Sequence, residues 1–161
     1  LDDGAPALFK QTRIGRYGRP FRMYKFRSMH NDAEAAGPQL CRGRKDPRLT
    51  RVGRFLREHH LDELPQLWNV LRGDMAFIGP RPERRFYIEQ IVRQDQRYPL
   101  LYQIRPGVTS YATLYNGYTD TPEKMLRRLE LDLYYLEHRS LFLDLKILWL
   151  TFYRIVTGHK F

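Results

Sequence analysis

The chain has 161 residues, 42% of them hydrophobic, a single cysteine (Cys41) and a formal net charge of +10. This size allows one hydrophobic core, so we expect a single domain over residues 1–161. A lone cysteine excludes an internal disulfide and a cysteine-based zinc site. The sequence contains no run of about 18 uncharged apolar residues, which is the length needed to cross a membrane. Residues 1–60 carry +8 of the charge. They predict an anionic partner: nucleic-acid phosphates, lipid head groups or a phosphorylated small molecule.

The first third of the sequence is predicted to contain two strands, a loop and a helix. Two apolar runs in residues 7–29 flank the turn residues GRYGRP, which is typical of a hairpin. The polar stretch 31–46 is broken by Gly and Pro and is predicted to be a mobile loop. Apolar residues at spacings of three, four and seven then indicate one face of a helix: Leu49, Val52, Phe55 and Leu56.

Residues 62–72 are predicted to form a short helix that begins with two carboxylates. The apolar positions have the spacing of one helical face: Leu64, Leu67, Trp68 and Leu71. Pro65 is tolerated in a first helical turn, so we expect Asp62 and Glu63 at or just before the helix N-terminus. Two interpretations stay open there: capping groups favoured by the helix dipole, or chemically active carboxylates.

Beyond that helix, a turn at Gly73-Asp74 and a strand over residues 75–78 lead to the sequence GPRP. Pro80 and Pro82 fix the backbone on both sides of Arg81, so the chain largely sets the direction of its guanidinium. A fixed arginine near a carboxylate pair predicts a phosphate site. A rigid loop with a solvated arginine is the alternative.

The second half is predicted to be a helix, a β-rich segment and two further helices. The first helix ends at Pro99, and residues 102–118 are predicted to be β-rich because PG and NG are turn signals. Thr121 as N-cap and Pro122 at the first helical position predict a helix to about His138.

The last helix, residues 141–158, is strongly apolar and is closed by Gly158. It is too short and too charged to span a bilayer. Burial in the core and a face lying in a membrane interface both stay open.

Four blocks of the sequence together resemble a known family. They are FKQTRIGRYGRPFRMYKFRSM, DPRLTRVGRFLREHHLDELPQLWNVLRGDMAFIGPRPE, RPGVTSYA and LDLYYLEHRSLFLDLKIL. In this order they resemble the bacterial sugar transferases, which are polyprenol-phosphate phosphoglycosyl transferases of the monotopic type. We therefore expect a mixed α/β catalytic domain with short strands surrounded by helices, including amphipathic helices at the membrane interface.

The resemblance implies an enzyme and a reaction. A nucleoside diphosphate sugar, usually a UDP-sugar, gives its sugar phosphate to a membrane polyprenol phosphate, and UMP is released. This step initiates the synthesis of exopolysaccharide, O-antigen or another glycoconjugate at the cytoplasmic face of the bacterial inner membrane. A nucleic acid is not an expected partner, and a homo-oligomer stays open.

The resemblance also implies roles for the carboxylate pair. Asp62 is the expected nucleophile and forms a phosphosugar-aspartate intermediate, while Glu63 assists the second half-reaction or holds metal. Mg²⁺ is the expected cofactor because it can bridge the diphosphate and bind Asp62, Glu63 or both.

Three basic residues are expected to bind phosphate or to add positive charge beside the pair. They are Arg81 between its prolines, and Lys25 and Arg27 in KFRSM. The family further suggests that one of the peptide bonds at Pro80 and Pro82 is cis. For Asp144, a structural ion pair with an arginine and a catalytic role both stay open.

Two departures from the family pattern limit what is carried over. The family often reads Pro-Gly-(Ile/Val)-Thr-Gly-(Trp/Leu)-Ala-Gln, whereas this chain has Ser110, Tyr111 and Thr113 in that block. Sugar identity is therefore open. The family's N-terminal membrane helix is not found here, so we expect a catalytic domain cut from a longer polypeptide. A noncatalytic scaffold and a basic nucleic-acid-binding module are the alternative functions.

Overall fold

The computed structural model describes residues 6–35, 37–40, 46–117, 119 and 121–157. Within them lie four short strands and six α-helices, so the mixed α/β class is confirmed. In chain order they are β1 (Leu8–Ile14), β2 (Pro20–Phe26), α1 (Arg51–Glu58), α2 (Gln66–Leu71), β3 (Ala76–Ile78), α3 (Arg85–Gln94), β4 (Gly107–Thr109), α4 (Tyr111–Asn116), α5 (Pro122–His138) and α6 (Leu141–Thr157). Part of the predicted loop, with Cys41, and the predicted helix end at Gly158 lie outside the described residues.

The predicted hairpin is confirmed. β1 and β2 pair antiparallel, from Leu8 opposite Phe26 to Ile14 opposite Pro20. Their connection is a 3₁₀ turn in which Tyr17 and Gly18 have φ angles of 60° and 69°. Only a residue that tolerates the left-handed region fits such a turn without strain, which explains the glycine.

The predicted strand after Gly73-Asp74 is also confirmed, and it begins at Ala76. β3 pairs parallel with β4, with Ala76 opposite Gly107 and Ile78 opposite Thr109. A Cβ atom on Gly107 would lie 2.2 Å from the Gly79 backbone nitrogen, so only glycine allows the two chains this close. The pairing fixes the place where the GPRP segment leaves the sheet.

Two helix predictions differ from the structure. Residues 111–116 were expected to be β-rich but form α4, because the Ser110 hydroxyl accepts a hydrogen bond from the Thr113 amide at 2.9 Å and caps a helix. α3 ends at Gln94, before Pro99. The Asp95 carboxylate accepts from the Arg97 amide at 2.9 Å, and this local turn replaces a further helical turn.

The core lies between α3, α5 and the 3₁₀ segment Tyr98–Gln103. α5 begins as predicted, with Thr121 accepting from the Lys124 amide and Pro122 at the first helical position. A smaller cluster joins α4, α5 and α6 through Leu114, Tyr135 and Ile147.

α6 is mostly exposed, so the interpretation of this helix as buried core is wrong for most of its length. Ile147 is its one buried residue among those the structure describes. Large apolar side chains face solvent along the helix: Leu141, Phe142, Leu145, Leu148, Trp149, Phe152, Ile155 and Val156. Among the described helices, none is long and apolar enough to cross a membrane.

Candidate active site

Asp62 and Glu63 lie in a 3₁₀ turn, Leu61–Glu63, between α1 and α2. The preceding residue, His60, has a left-handed backbone (φ 55°, ψ 18°), which turns the chain sharply out of α1. Pro65 is the N-cap of α2, and no side chain caps that helix. The capping interpretation of the two carboxylates is therefore wrong.

Glu63 is held by two cations from distant parts of the chain. Lys25 Nζ lies 2.6 Å and Arg81 Nη1 lies 3.5 Å from Glu63 Oε1. Burial disfavours the charged carboxylate, but Lys25 and Arg81 outweigh it and hold the pKa of Glu63 below its ordinary value. Burial also lowers the pKa of the Lys25 ammonium, although Glu63 opposes this shift. The three groups form one partly buried charge cluster.

Asp62 has a different environment from its neighbour. Its residue surface is 5% exposed, and the nearest cation atom in an ion pair is Arg57 Nε, 3.9 Å from Oδ2. Burial raises the pKa of the Asp62 carboxyl, Lys25 and Arg57 oppose the rise, and the Glu63 charge adds to it. The surroundings thus shift the pKa values of these adjacent carboxyls in opposite directions, upward for Asp62 and downward for Glu63.

Asn69 brings Lys25 to the carboxylate turn. The Asn69 side chain is fully buried: its Oδ1 accepts from the Tyr24 amide at 3.1 Å and its Nδ2 donates to Arg22 O at 2.8 Å. These bonds join α2 to β2 as a further strand would. Asn69 was not predicted as a site residue, because its only signal in the sequence is a polar residue within an apolar helix.

The loop that carries Arg81 is fixed from two sides. Arg13 Nη1 donates to Pro82 O at 3.2 Å and lies 3.3 Å from Glu83 Oε2, while Arg128 Nη1 lies 3.4 Å from Glu83 Oε1. No peptide bond in the described residues is cis, so the expectation of a cis bond at Pro80 or Pro82 is wrong. The buried Arg13–Glu83–Arg128 cluster, which was not predicted from the sequence, anchors the loop between β1 and α5.

Other candidate residues lie elsewhere. The Arg27 guanidinium donates to Pro6 O and to Asn31 Oδ1, both at 2.8 Å, so the structure does not bring it into the cluster around Glu63. Asp144 accepts from the Tyr135 hydroxyl at 2.7 Å. Of the ion pairs between described residues, none includes Asp144, so the ion-pair alternative for this residue is wrong.

The carboxylate pair fits a metal ion that arrives with its substrate. The described residues contain no group of three His, Cys, Asp or Glu side chains that could hold a metal alone. Mg²⁺ usually binds through one or two carboxylates plus substrate phosphates. Asp62 and Glu63 are the two carboxylates that could supply such a ligand, and Glu63 Oε1 already contacts Lys25 and Arg81.

The arrangement combines a buried carboxylate with an excess of positive charge. Three cations, Lys25, Arg57 and Arg81, surround two carboxylates, which leaves +1 for an incoming anion. A carboxylate in such a place can attack phosphorus, because the cations reduce its repulsion from phosphate oxygens.

Known proteins resemble this chain over nearly its whole length. A model of the family "Bacterial sugar transferase" matches residues 1–158. The chain is 41% identical over 158 residues to the UDP-N-acetylgalactosamine-undecaprenyl-phosphate N-acetylgalactosaminephosphotransferase of Aeromonas hydrophila, covering 98% of this chain and 37% of that protein. It is 42% identical to the UDP-glucose:undecaprenyl-phosphate glucose-1-phosphate transferase of Escherichia coli strain K12, covering 96% and 33%.

A third relative is closer to this chain in length. The uncharacterized sugar transferase EpsL of Bacillus subtilis is 39% identical, over 98% of this chain and 74% of that protein. Of the first two relatives, by contrast, the chain spans only 37% and 33% of the length. The match to the family model over nearly the whole sequence shows that the chain belongs to the bacterial sugar transferase family.

Proposed function

We propose that this chain transfers a sugar phosphate from a UDP-sugar to a membrane polyprenol phosphate and releases UMP. The observation that carries the proposal is the contrast between its two carboxylates: Glu63 is paired at 2.6 Å, whereas the buried Asp62 has its cation at 3.9 Å. The names of these relatives, which are transferases acting on undecaprenyl phosphate, support the same donor and acceptor classes.

In the first half-reaction, an Asp62 carboxylate oxygen attacks the sugar-linked phosphorus. An O–P bond forms, the bond from that phosphorus to the bridging oxygen breaks, and the electron pair leaves with UMP. Arg81 and Lys25 stabilise negative charge on the transferring group. Arg27 has no part in this step, because its guanidinium is bound elsewhere.

In the second half-reaction, a phosphate oxygen of the polyprenol phosphate attacks the same phosphorus. The bond to Asp62 breaks and its carboxylate is restored, so the two steps balance without an added oxidant or a net proton. Glu63 positions Lys25 and Arg81 throughout. When bound, Mg²⁺ would neutralise diphosphate charge, and Asp62, Glu63 or both would hold it.

The acceptor lies in a membrane, and α2 offers a surface for it. The apolar stripe of α2 begins directly after Glu63 and is exposed: Leu64, Leu67, Trp68 and Leu71. We propose that this stripe and the exposed face of α6 lie in the lipid interface, which keeps the carboxylate turn near the acceptor phosphate. We propose the cytoplasmic face of the inner membrane as the location, because the resemblance to the family implies it.

The test is trapping of the covalent intermediate. We expect the chain, incubated in detergent with Mg²⁺ and a panel of UDP-sugars but no acceptor, to gain the mass of one sugar phosphate and to release UMP. Asp62→Asn removes the nucleophile, so both signals should be lost. Asp32→Asn, at an exposed carboxylate, is the matched control and should keep them.

Two outcomes would contradict the proposal. A mass gain that persists in Asp62→Asn would move the nucleophile to another residue. No UMP from any UDP-sugar, with polyprenol phosphate and lipid also supplied, would leave the noncatalytic scaffold as the better description.

A further inference from the structure

Arg57 lies between a buried hydroxyl and the Asp62 carboxylate. Its Nε donates a hydrogen bond to Ser28 Oγ at 2.9 Å and is 3.9 Å from Asp62 Oδ2. The first distance is a hydrogen bond and the second is a charge contact without one. In the part of the chain that the structure describes, no hydrogen bond reaches the Asp62 carboxylate.

The position of Arg57 follows from how α1 packs against the backbone at Ser28, two residues after β2. Thr50 caps α1 by accepting from the Gly53 amide at 2.9 Å, and the Thr50 amide donates to Ser28 O at 3.1 Å. A Cβ atom on Gly53 would lie 1.9 Å from Ser28 O, so glycine alone allows this contact. Arg57 follows Gly53 by one helical turn and therefore lies on the same face, above Ser28.

The two carboxylates of the site thus differ in their contacts with cations: Glu63 accepts a direct hydrogen bond, whereas Asp62 has only a charge contact. Lys25 donates directly to Glu63 at 2.6 Å. A direct hydrogen bond stabilises a carboxylate and makes it a weaker nucleophile, because the bond must be lost when the oxygen attacks. Asp62 keeps a nearby positive charge but is spared such a bond, because the Arg57 donor points to Ser28.

We propose that Ser28 is a positioning residue that holds the Arg57 Nε–H away from Asp62, so that Asp62 stays charge-compensated and available for attack. The proposal rests on the proposed function for its catalytic consequence. Ser28 is buried, and among the described residues Arg57 is the hydrogen-bond partner of its hydroxyl. Arg57 in turn supplies positive charge beside the phosphorus that Asp62 attacks.

Kinetics of four variants test the catalytic consequence. In Ser28→Ala the Arg57 donor is free to turn to Asp62, so we expect kcat for UMP release to fall about tenfold with KM for the UDP-sugar within about twofold. Ser28→Thr keeps the hydroxyl and should recover most of kcat. In an Arg57→Ala background, Ser28→Ala should have no further effect on kcat, because the donor that Ser28 holds is gone.

The Arg57 Nε–H signal in NMR tests the geometry without any turnover, and its loss in Arg57→Lys assigns it. We expect Asp62→Asn to leave this signal nearly unchanged in the wild-type background, where Ser28 is the acceptor. In the Ser28→Ala background, the same Asp62→Asn change should shift the signal strongly.

The two readouts separate the two proposals. If no UDP-sugar reacts but the NMR pattern holds, the proposed function fails and the positioning by Ser28 stands as geometry. If Asp62→Asn shifts the Arg57 signal as much with Ser28 present as without it, the hydrogen bond goes to Asp62 and the positioning proposal is overturned. It is equally overturned if Ser28→Ala lowers kcat as much in the Arg57→Ala background as alone, since Ser28 would then act on general packing.

Discussion

α5 and α6 have the same length, 17 residues each, but opposite relations to water. α5 carries charges along its length and still buries five residues: Met125, Leu129, Asp132, Leu133 and Tyr135. α6 is the more apolar sequence and buries only Ile147 among its described residues. Apolar content therefore predicts that a helix avoids water, but it does not predict what covers the helix.

The pattern around each helix explains the difference. In α5 the apolar residues form one stripe that a protein core can cover, and the opposite face is polar. In α6 the apolar residues continue around the helix, so a single packed face leaves most of them exposed. A lipid interface can cover such a surface, which is why we assign α6 to the membrane in the proposed function.

The largest expected effect is loss of stability from a cavity in α5. Leu129 is 2% exposed, so Leu129→Ala should lower the free energy of unfolding by about 2–5 kcal/mol. Trp149→Ala, which removes a larger side chain from α6, should change it by about 0.5 kcal/mol or less because Trp149 is 66% exposed. Urea unfolding of both variants in one detergent measures this, and equal losses would remove the contrast between the helices.

A smaller effect should come from Asp132, the buried acid of α5. Burial raises the pKa of its carboxyl to about 7, from 3.8, while Arg128 opposes the rise. The folded chain thus holds a proton that the unfolded chain releases, so this group costs stability as pH rises from about 4 to 7. Asp132→Asn should leave stability unchanged at pH 4 and raise it by about 2 kcal/mol at pH 8, a discounted value because buried carboxylates relax.

Urea unfolding across pH measures the Asp132 effect. A gain of the same size at pH 4 and pH 8 would show that the carboxyl does not change its protonation state over this range. A loss at pH 8 would show that the charged form is stabilised by the nearby arginines.

The smallest effect on stability, but a clear one on binding, should come from charges placed on α6. Trp149→Glu with Phe152→Glu should weaken binding to vesicles of anionic phospholipid about tenfold or more, since charged side chains disfavour the lipid interface. Tyr134→Glu on α5 is the matched control because Tyr134 is also an exposed aromatic. Equal loss of sedimentation with vesicles in both variants would assign binding to overall charge and not to α6.

Helices, strands and turns were predicted from the sequence more accurately than which of their faces are buried. The hairpin, the Thr121 cap and the strand before GPRP depend on neighbouring residues, and all three are confirmed. The stripe of α2 was recognised from its period, but the period carries no information on which face is covered. Trp68 on that stripe is 56% exposed.

The candidate site was predicted in part for the same reason. Asp62, Glu63, Lys25 and Arg81 stand in motifs of the family, and the structure brings these four side chains together. The contact between Ser28 and Arg57 was not predicted because it depends on the close approach of α1 to the Ser28 backbone at Gly53, which local pattern does not predict. α4 was missed although its Ser110 cap is local, because the turn signals around it were given more weight.

The charge cluster around Glu63 has a consequence for how the protein folds. Lys25 and Glu63 are 38 residues apart, and Arg81 follows Glu63 by 18 residues. Closing such loops costs entropy before the contacts stabilise anything, and contacts of long sequence separation slow folding. The proposed phosphosugar transfer should therefore return late during refolding, after the helical signal in circular dichroism, and its recovery would report completion of the tertiary structure.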